Sequence, residues 1–509
     1  MKSDLVIVYH RQPYEEVETP QGTIYRENTS PNGIVPTLKG FLGRAERGAW
    51  VAWKEAEDTS NPGFDPVIEI SDSFGRYNVS RLPLTKEQVK SFYHVTSKEA
   101  FWPILHGFKE RYNYDPVDWP TFRQVNWAFA EAAAEQATAD AVIWVHDYNL
   151  WLVPAYLRQL KPDATICFFH HTPFPGPDLF NVLPWRVEIV ESLLACDSVG
   201  FHIPRYAQNF AAVARSLTGA RLIEEEDTPP ALSATGVALN DRRVPLTLEY
   251  KGQAVAIHTS PVGVNYEHIE SLAQSADVRD RVAEIRRDLG ECKLCLAVSR
   301  TDYTKGNIEQ LEAFERLLQR RPDLHGKVRL MLVSVGANRN MTAYAEVQER
   351  IESLVGRING SYGSLEWQPV ALISQAIPLA QLVAYYAAAD FASITPLADG
   401  LNLVASEFCA ARDAEHPGAL ILSEFAGCAV LLEGAIPVNP FSHASMDAAL
   451  DQALAMECEE AASRMQALQR SARTWDIGAW TEAEMAHFQK LRAARSPLVT
   501  PLPGTRPAA

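Results

Sequence analysis

Several features that would classify a chain quickly are missing from this one. Seven cysteines are scattered through 509 residues, an odd number and too sparse for a disulfide framework. Cys292-Lys293-Leu294-Cys295 has CxxC spacing but runs into the apolar Leu296-Ala297-Val298 with no second pair or nearby histidine, so buried thiols fit it better than a metal site. No apolar stretch reaches the ~18 residues of a membrane helix. The opening Leu5-Val6-Ile7-Val8 is too short for the core of a secretory signal. Neither GxGxxG nor GxxxxGK[ST] stands at a strand-to-helix turn, which removes the dinucleotide fingerprint and the P-loop. Positive charge is also scarce. Against 63 Asp and Glu stand 47 Lys and Arg, a formal charge of −16, and such a field repels nucleic acid and anionic lipid. A phosphorylated ligand therefore requires a local basic pocket. The expectation is a cytoplasmic globular chain with no membrane or nucleic-acid partner, compatible with a homo-oligomer.

What is present is alternation. Short apolar runs at 5–9, 142–146, 165–171 and 198–202 read as buried parallel strands. Between them lie helical patterns such as Phe122, Val125, Phe129, Ala132 and Gln136, with Pro120 near the helix start. Residues 220–253 are acidic, Pro-containing and aperiodic, and read as a long loop or insertion. A second series starts at 254–263 and continues through 294–300, 328–336, 391–396 and 419–424. The fold class is α/β, with two doubly wound, Rossmann-like halves: 1–250 and 251–475. A helical segment at 476–495 is expected to pack back on the first half, and 496–509 has the Pro content of a disordered tail. Ligands of such folds sit beyond the carboxyl ends of the strands, here in the cleft between the halves.

Four clusters at those ends carry chemistry. Ser299-Arg300-Thr301-Asp302-Tyr303-Thr304-Lys305-Gly306 offers a planar guanidinium and a point cation five residues apart, which suits a diphosphate. Asp399-Gly400-Leu401-Asn402-Leu403 can open a helix whose free N–H groups at 401–403 meet an anion, with Glu407 placed to accept from a ribose diol. Taken alone, that segment fits an Asp cap and a surface glutamate equally well. His146-Asp147-Tyr148 and His170-His171-Thr172 close two strands and suit hydroxyl recognition or proton handling, while a zinc site lacks HExxH or a thiolate partner. Tyr9-His10-Arg11, followed by Ser30-Pro31-Asn32-Gly33, is compatible with close backbone approach to phosphate.

In this order and at these separations the clusters resemble the retaining glycosyltransferases of the trehalose-6-phosphate synthase and glucosylglycerol-phosphate synthase family. The matching segments are HDYNLWLVP (146–154), HHTPFPGPDLFNVLPWR (170–186), SRTDYTKG (299–306), GRINGSYGSLEWQP (356–369) and DGLNLVASEF (399–408). The resemblance implies the GT-B fold, with donor held by the second half and acceptor by the first, and neither metal nor cofactor. By position it implies that Arg300 and Lys305 grip the donor diphosphate. Asp399, Gly400 and the 401–403 amides (Leu401, Asn402, Leu403) would hold glucose and phosphates, and Glu407 the ribose. Asp147 and His171 would contact the transferred glucose, Arg11 and Gly33 would close on phosphate, and Arg11, Tyr93, Trp102 and Asp147 would serve the acceptor.

The acceptor divides the family. Tyr93 and Trp102 match the aromatic pair of the trehalose branch, but Val335-Gly336-Ala337-Asn338-Arg339 lacks its Ser-Arg-Gly pattern, with Asn338 where its arginine would stand. Tyr9-His10-Arg11-Gln12-Pro13-Tyr14 and SKEAFWPILHGF (97–108) are similar to the glucosylglycerol-phosphate branch instead. That similarity implies glycerol 3-phosphate as acceptor and ADP-glucose as donor. The alternatives are glucose 6-phosphate as acceptor, giving trehalose 6-phosphate, and a non-catalytic regulator that binds nucleotide-sugar.

Overall fold

Runs such as Thr165–His170 and Ala419–Ser423 are buried at every residue, which happens when helices cover both faces of a parallel sheet. The computed structural model describes residues 2–20, 22–27, 33–233, 237–336 and 342–495. It contains two such sheets. The first is entered through β1 (Ser3–Val8), a hairpin of β2 (Tyr14–Thr19) and β3 (Gly22–Glu27), then β4 (Gly48–Glu55), β5 (Val67–Asp72) and β6 (Gly75–Leu84). It continues with β7 (Ala137–His146), β8 (Thr165–His170), β9 (Ser198–Phe201), β10 (Arg221–Asp227), β11 (Arg243–Tyr250) and β12 (Gln253–Thr259). Leaving out the separate β2-β3 hairpin, the spatial order is β10-β11-β12-β9-β8-β7-β1-β4-β6-β5. From β12 across to β6 the strands run parallel, while β5 on one edge and β11 and β10 on the other are antiparallel.

The second sheet holds β13 (Lys293–Arg300), β14 (Val328–Val335), β15 (Val370–Ile373), β16 (Phe391–Ile394), β17 (Ala419–Ser423) and β18 (Ile436–Val438), all parallel. Its order is β15-β14-β13-β16-β17-β18, so the chain reverses direction of travel between β13 and β16. The parallel part of the first sheet follows the same rule, reversing between β1 and β7. Each reversal opens a crevice outside the carboxyl ends of the two strands beside it, which is where doubly wound sheets bind ligands.

Residues 220–253 correct the reading of the sequence, which takes them as a loop or insertion. Within them β10 and β11 form an antiparallel pair that extends the sheet, with Leu222 opposite Leu248. The run Glu224-Glu225-Glu226 is exposed and so shows no burial pattern, and charge on an edge strand also discourages pairing with another chain. The expected helix is present at Trp119–Gln136, with Phe122, Val125 and Phe129 buried and Asp118 accepting from the Thr121 N–H at its start.

The C-terminal helix, Ile477–Arg495, lies on the first sheet. Its Trp480 ring packs 5.1 Å from Phe41, 5.5 Å from Trp144 and 5.6 Å from Phe169. One turn on, the buried Glu484 meets His258 Nε2 at 3.0 Å. Residues 496–509, read as a disordered tail, lie outside the described residues. Among the described residues no helix is long and apolar enough to cross a membrane.

Candidate active site

Both crevices are furnished by the segments that leave the reversing strands. In the second half β13 ends at Arg300, and Asp302 caps the turn Tyr303–Lys305 by accepting from the Thr304 N–H. Gly306 follows at φ 70°, and a Cβ there would lie 2.1 Å from the Thr395 carbonyl, so only glycine allows Lys305 to sit against β16 before the helix Asn307–Arg320 begins. Lys305 Nζ binds Asp399 Oδ2 at 2.7 Å, and the Asn402 amide donates to the same oxygen at 3.2 Å. Burial opposes ionisation of Asp399, but Lys305 and Asn402 outweigh it and hold the carboxyl below its usual range.

The helix expected to open at Asp399-Gly400 begins instead at Val404 and runs to Ala410, with the Asn402 side chain accepting from the Ala405 N–H. The Leu401, Asn402 and Leu403 amides donate to no group among the described residues. Glu407 is on this helix, 3% exposed, and accepts from the Tyr386 hydroxyl at 2.8 Å. Burial pushes its carboxyl up to about 7 against the pull of that hydroxyl.

In the first half β7 delivers Asp147 at φ 71° and ψ 163°, a region almost confined to glycine. Its carboxylate caps the turn Tyr148–Leu150, accepting from the Tyr148 N–H at 3.1 Å. Burial raises Asp147 to about 6, against the amides of Tyr148 and His171 and the charges of Lys98 and Arg11. β8 delivers His171, whose Nε2 is 3.1 Å from His146 Nδ1, and β9 delivers His202. Burial keeps these histidines neutral, with His202 pulled down to about 4 and His170 to about 3. They can orient a hydroxyl but supply no positive charge at neutral pH.

The halves meet at this point. A Cβ on Gly400 would lie 2.2 Å from the His171 carbonyl, and the Tyr206 hydroxyl donates to the Asp399 carbonyl at 3.1 Å. At the rim the Arg111 guanidinium lies 4.6 Å from the Tyr303 ring centre, with Phe108 edge-on at 5.2 Å. The structure thus brings together Asp147, His171, Lys305, Asp399 and Gly400.

Arg11 and Arg300 are exposed. Tyr93 couples to both of them and to Lys98, and although burial would raise its phenol, the three cations hold it below its usual range. Trp102 is buried beside it. Gly33 stands exposed at the start of the helix Ile34–Leu42, and Ser30, Pro31 and Asn32 before it lie outside the described residues, as do Ala337, Asn338 and Arg339.

Sequence reading gives no role to Lys98, His106 or Tyr206. Lys98 and Tyr93 lie on a π-helix, Lys90–Phe101, whose winding no 3.6-residue pattern reveals. Burial, then Arg300 and Arg11, push the Lys98 ammonium down against Tyr93 and Asp302. His106 is brought down to about 4 by burial and by the charge of Lys305. Among the described residues no three of His, Cys, Asp and Glu converge as metal ligands do.

A family model described as glycosyltransferase family 20 matches residues 3–490. A glucosylglycerol-phosphate synthase of Synechocystis sp. is 48% identical over 480 residues, 94% of this chain and 96% of that one. A trehalose-6-phosphate synthase of a Mycobacterium species (strain KMS) is 37% identical over 97% of each chain. Among solved structures, a trehalose-6-phosphate protein from E. coli bound with UDP-2-fluoro glucose superposes with a TM-score of 0.81 at 28% identity, covering 96% of this chain and 99% of that one.

Proposed function

Because the chain belongs to glycosyltransferase family 20, with the two Rossmann-like halves of a GT-B enzyme, we propose that it transfers glucose from ADP-glucose to glycerol 3-phosphate with retention of configuration. The product is 2-O-(α-D-glucosyl)glycerol 3-phosphate. The observation that carries the reading is the pairing of two crevices: Arg300, the Lys305–Asp399 pair and the 401–403 amides on one side, Asp147, His171 and Arg11 on the other. The acceptor follows the relative at 48% identity in preference to the one at 37%.

As the glycosidic bond loosens, negative charge grows on the leaving diphosphate. Arg300, the Lys305 ammonium held by Asp399 and the unpartnered 401–403 amides supply fixed positive potential for that charge. Positive charge grows on the sugar carbon, where Asp147 lies across the crevice. Asp399 is committed to Lys305 and the histidines are neutral, so no pair of carboxylates stands ready as nucleophile and acid. The departing phosphate oxygen takes the proton of the acceptor hydroxyl on the same face, which retains the configuration. Asp147 and His171 position the sugar.

Incubation of the purified protein with ADP-, UDP- and GDP-glucose and glycerol 3-phosphate tests the donor and the reaction together. The expected product is an α-linked phosphorylated glucoside, formed fastest from ADP-glucose. Nucleotide-sugar binding seen by calorimetry without turnover on any acceptor would identify a regulator instead.

A further inference from the structure

Lys98 has no place in the chemistry derived above, yet it sits where the two halves face each other. Among the described residues no carboxylate pairs with it and it makes no hydrogen bond. Its ammonium lies 3.9 Å from the Trp102 ring centre, 5.7 Å from that of Tyr93 and 5.9 Å from that of Tyr148. The arrangement is built by the backbone. At about 100° per residue an α-helix would rotate Lys98 roughly 140° away from Tyr93. The π-helix Lys90–Phe101, hydrogen-bonded from i to i+5, brings the two residues to one side, with Trp102 following directly.

Two consequences follow from this placement. An ammonium over an aromatic ring keeps N–H groups free for another acceptor, and Arg11 and Arg300 lie within electrostatic reach of it. Asp147 and Asp302 offset part of this positive charge but are not bonded to Lys98. The three cations come from the segment after β1, the π-helix and the end of β13, and together they favour a dianion beside them. Secondly, the Lys98 ammonium covers the Trp102 face. A hexose stacks its apolar side on such a face, whereas a three-carbon acceptor has no ring to stack.

We infer that Lys98 is the residue that selects the acceptor: it holds the phosphate of glycerol 3-phosphate and occupies the aromatic platform that a hexose phosphate would need. This rests on the acceptor reading proposed above and assigns the choice to one side chain.

The test is a steady-state comparison of wild type, Lys98→Gln and Lys98→Arg with glycerol 3-phosphate and with glucose 6-phosphate, the KM for ADP-glucose measured in parallel. For Lys98→Gln the KM for glycerol 3-phosphate should rise about tenfold or more while the KM for ADP-glucose changes less than about twofold. The ratio of kcat/KM for glycerol 3-phosphate over glucose 6-phosphate should fall about tenfold, and Lys98→Arg should restore part of the phosphate affinity. Equal losses on both acceptors, or a matching rise in the KM for ADP-glucose, would overturn the inference. Thermal melting covers a variant with too little turnover: 10 mM glycerol 3-phosphate should raise the midpoint of wild type and not of Lys98→Gln, and equal shifts would count against the assignment. Wild type that uses only glucose 6-phosphate would overturn the acceptor reading by itself. Lys98 as a phosphate ligand would then stand or fall on whether Lys98→Gln raises the KM for that acceptor.

Discussion

Lys305 and Asp399 are the clearest case of two residues whose meaning depends on each other. They are 94 positions apart in the chain and 2.7 Å apart in space, each mostly buried, and the pair fixes a cation beside three unpartnered amides. Removing the lysine strands a buried carboxylate and takes a preorganised charge from the leaving group. Lys305→Ala is expected to lower kcat by on the order of a hundredfold or more in protein that still folds, as followed by diphosphonucleoside release. Near-normal turnover would count against the donor assignment. Glu407 makes a prediction with a defined sign. Its carboxyl is raised to about 7 by burial, so below that pH it is mostly protonated, and ribose hydroxyls donate more strongly to the ionised form, which accepts at both oxygens. Affinity for ADP should therefore strengthen as pH rises from 6 to 8, and Glu407→Gln should lack that part of the slope. Calorimetry on both proteins measures the difference, and parallel curves would remove Glu407 from the ribose. Arg300, Lys305 and Asp399 were legible in the sequence because each follows an apolar strand run directly. Lys98 was not, because the five-residue step to Tyr93 fits neither a strand nor an α-helix.

At the scale of elements, what could be read depended on burial. β7, β8, β13 and β17 are covered on both faces and announce themselves as apolar runs. β10 is exposed except at the half-buried Leu222 and mostly charged, so its strand character comes from pairing with β11 and leaves little trace in its own residues. The helix at 404–410 starts later than the sequence suggests because Asn402, at φ 78°, turns the chain out of helical geometry and then caps it from outside. The C-terminal helix shows the opposite case, in which a segment far along the chain completes a core begun near its start. Trp480 fills space between Phe41, Trp144 and Phe169, and its indole N–H donates to the Ser260 carbonyl at 3.2 Å. Trp480→Ala is expected to cost about 3–5 kcal/mol, read from denaturant unfolding. A loss below about 1 kcal/mol would mean that this helix does not hold the first sheet.

For the whole molecule the decisive feature is closeness of the two halves. Two doubly wound halves were visible in the alternation of the sequence, although Gln253–Thr259, read as the start of the second, joins β9 in the first sheet, and the distance between the halves was not visible. That distance is written at Gly400, where a single added carbon would lie 2.2 Å from the His171 carbonyl and 3.0 Å from Thr172 Cα. Gly400→Ala should hold the crevices apart and reduce kcat/KM about a hundredfold while the first and second sheets stay folded, since a displacement near 1 Å is enough to spoil alignment. Unchanged kinetics would show that transfer occurs in a more open arrangement. The chain as a whole carries −16, yet Arg11, Lys98 and Arg300 act together on Tyr93, and the proposed reaction brings two phosphorylated substrates beside them. The most direct test of that account is a competition. Limiting ADP-glucose is offered with equal glycerol 3-phosphate and glucose 6-phosphate, and the products are resolved by NMR. α-Glucosylglycerol phosphate should be the main product, and trehalose 6-phosphate in its place would contradict the acceptor assigned to this cleft.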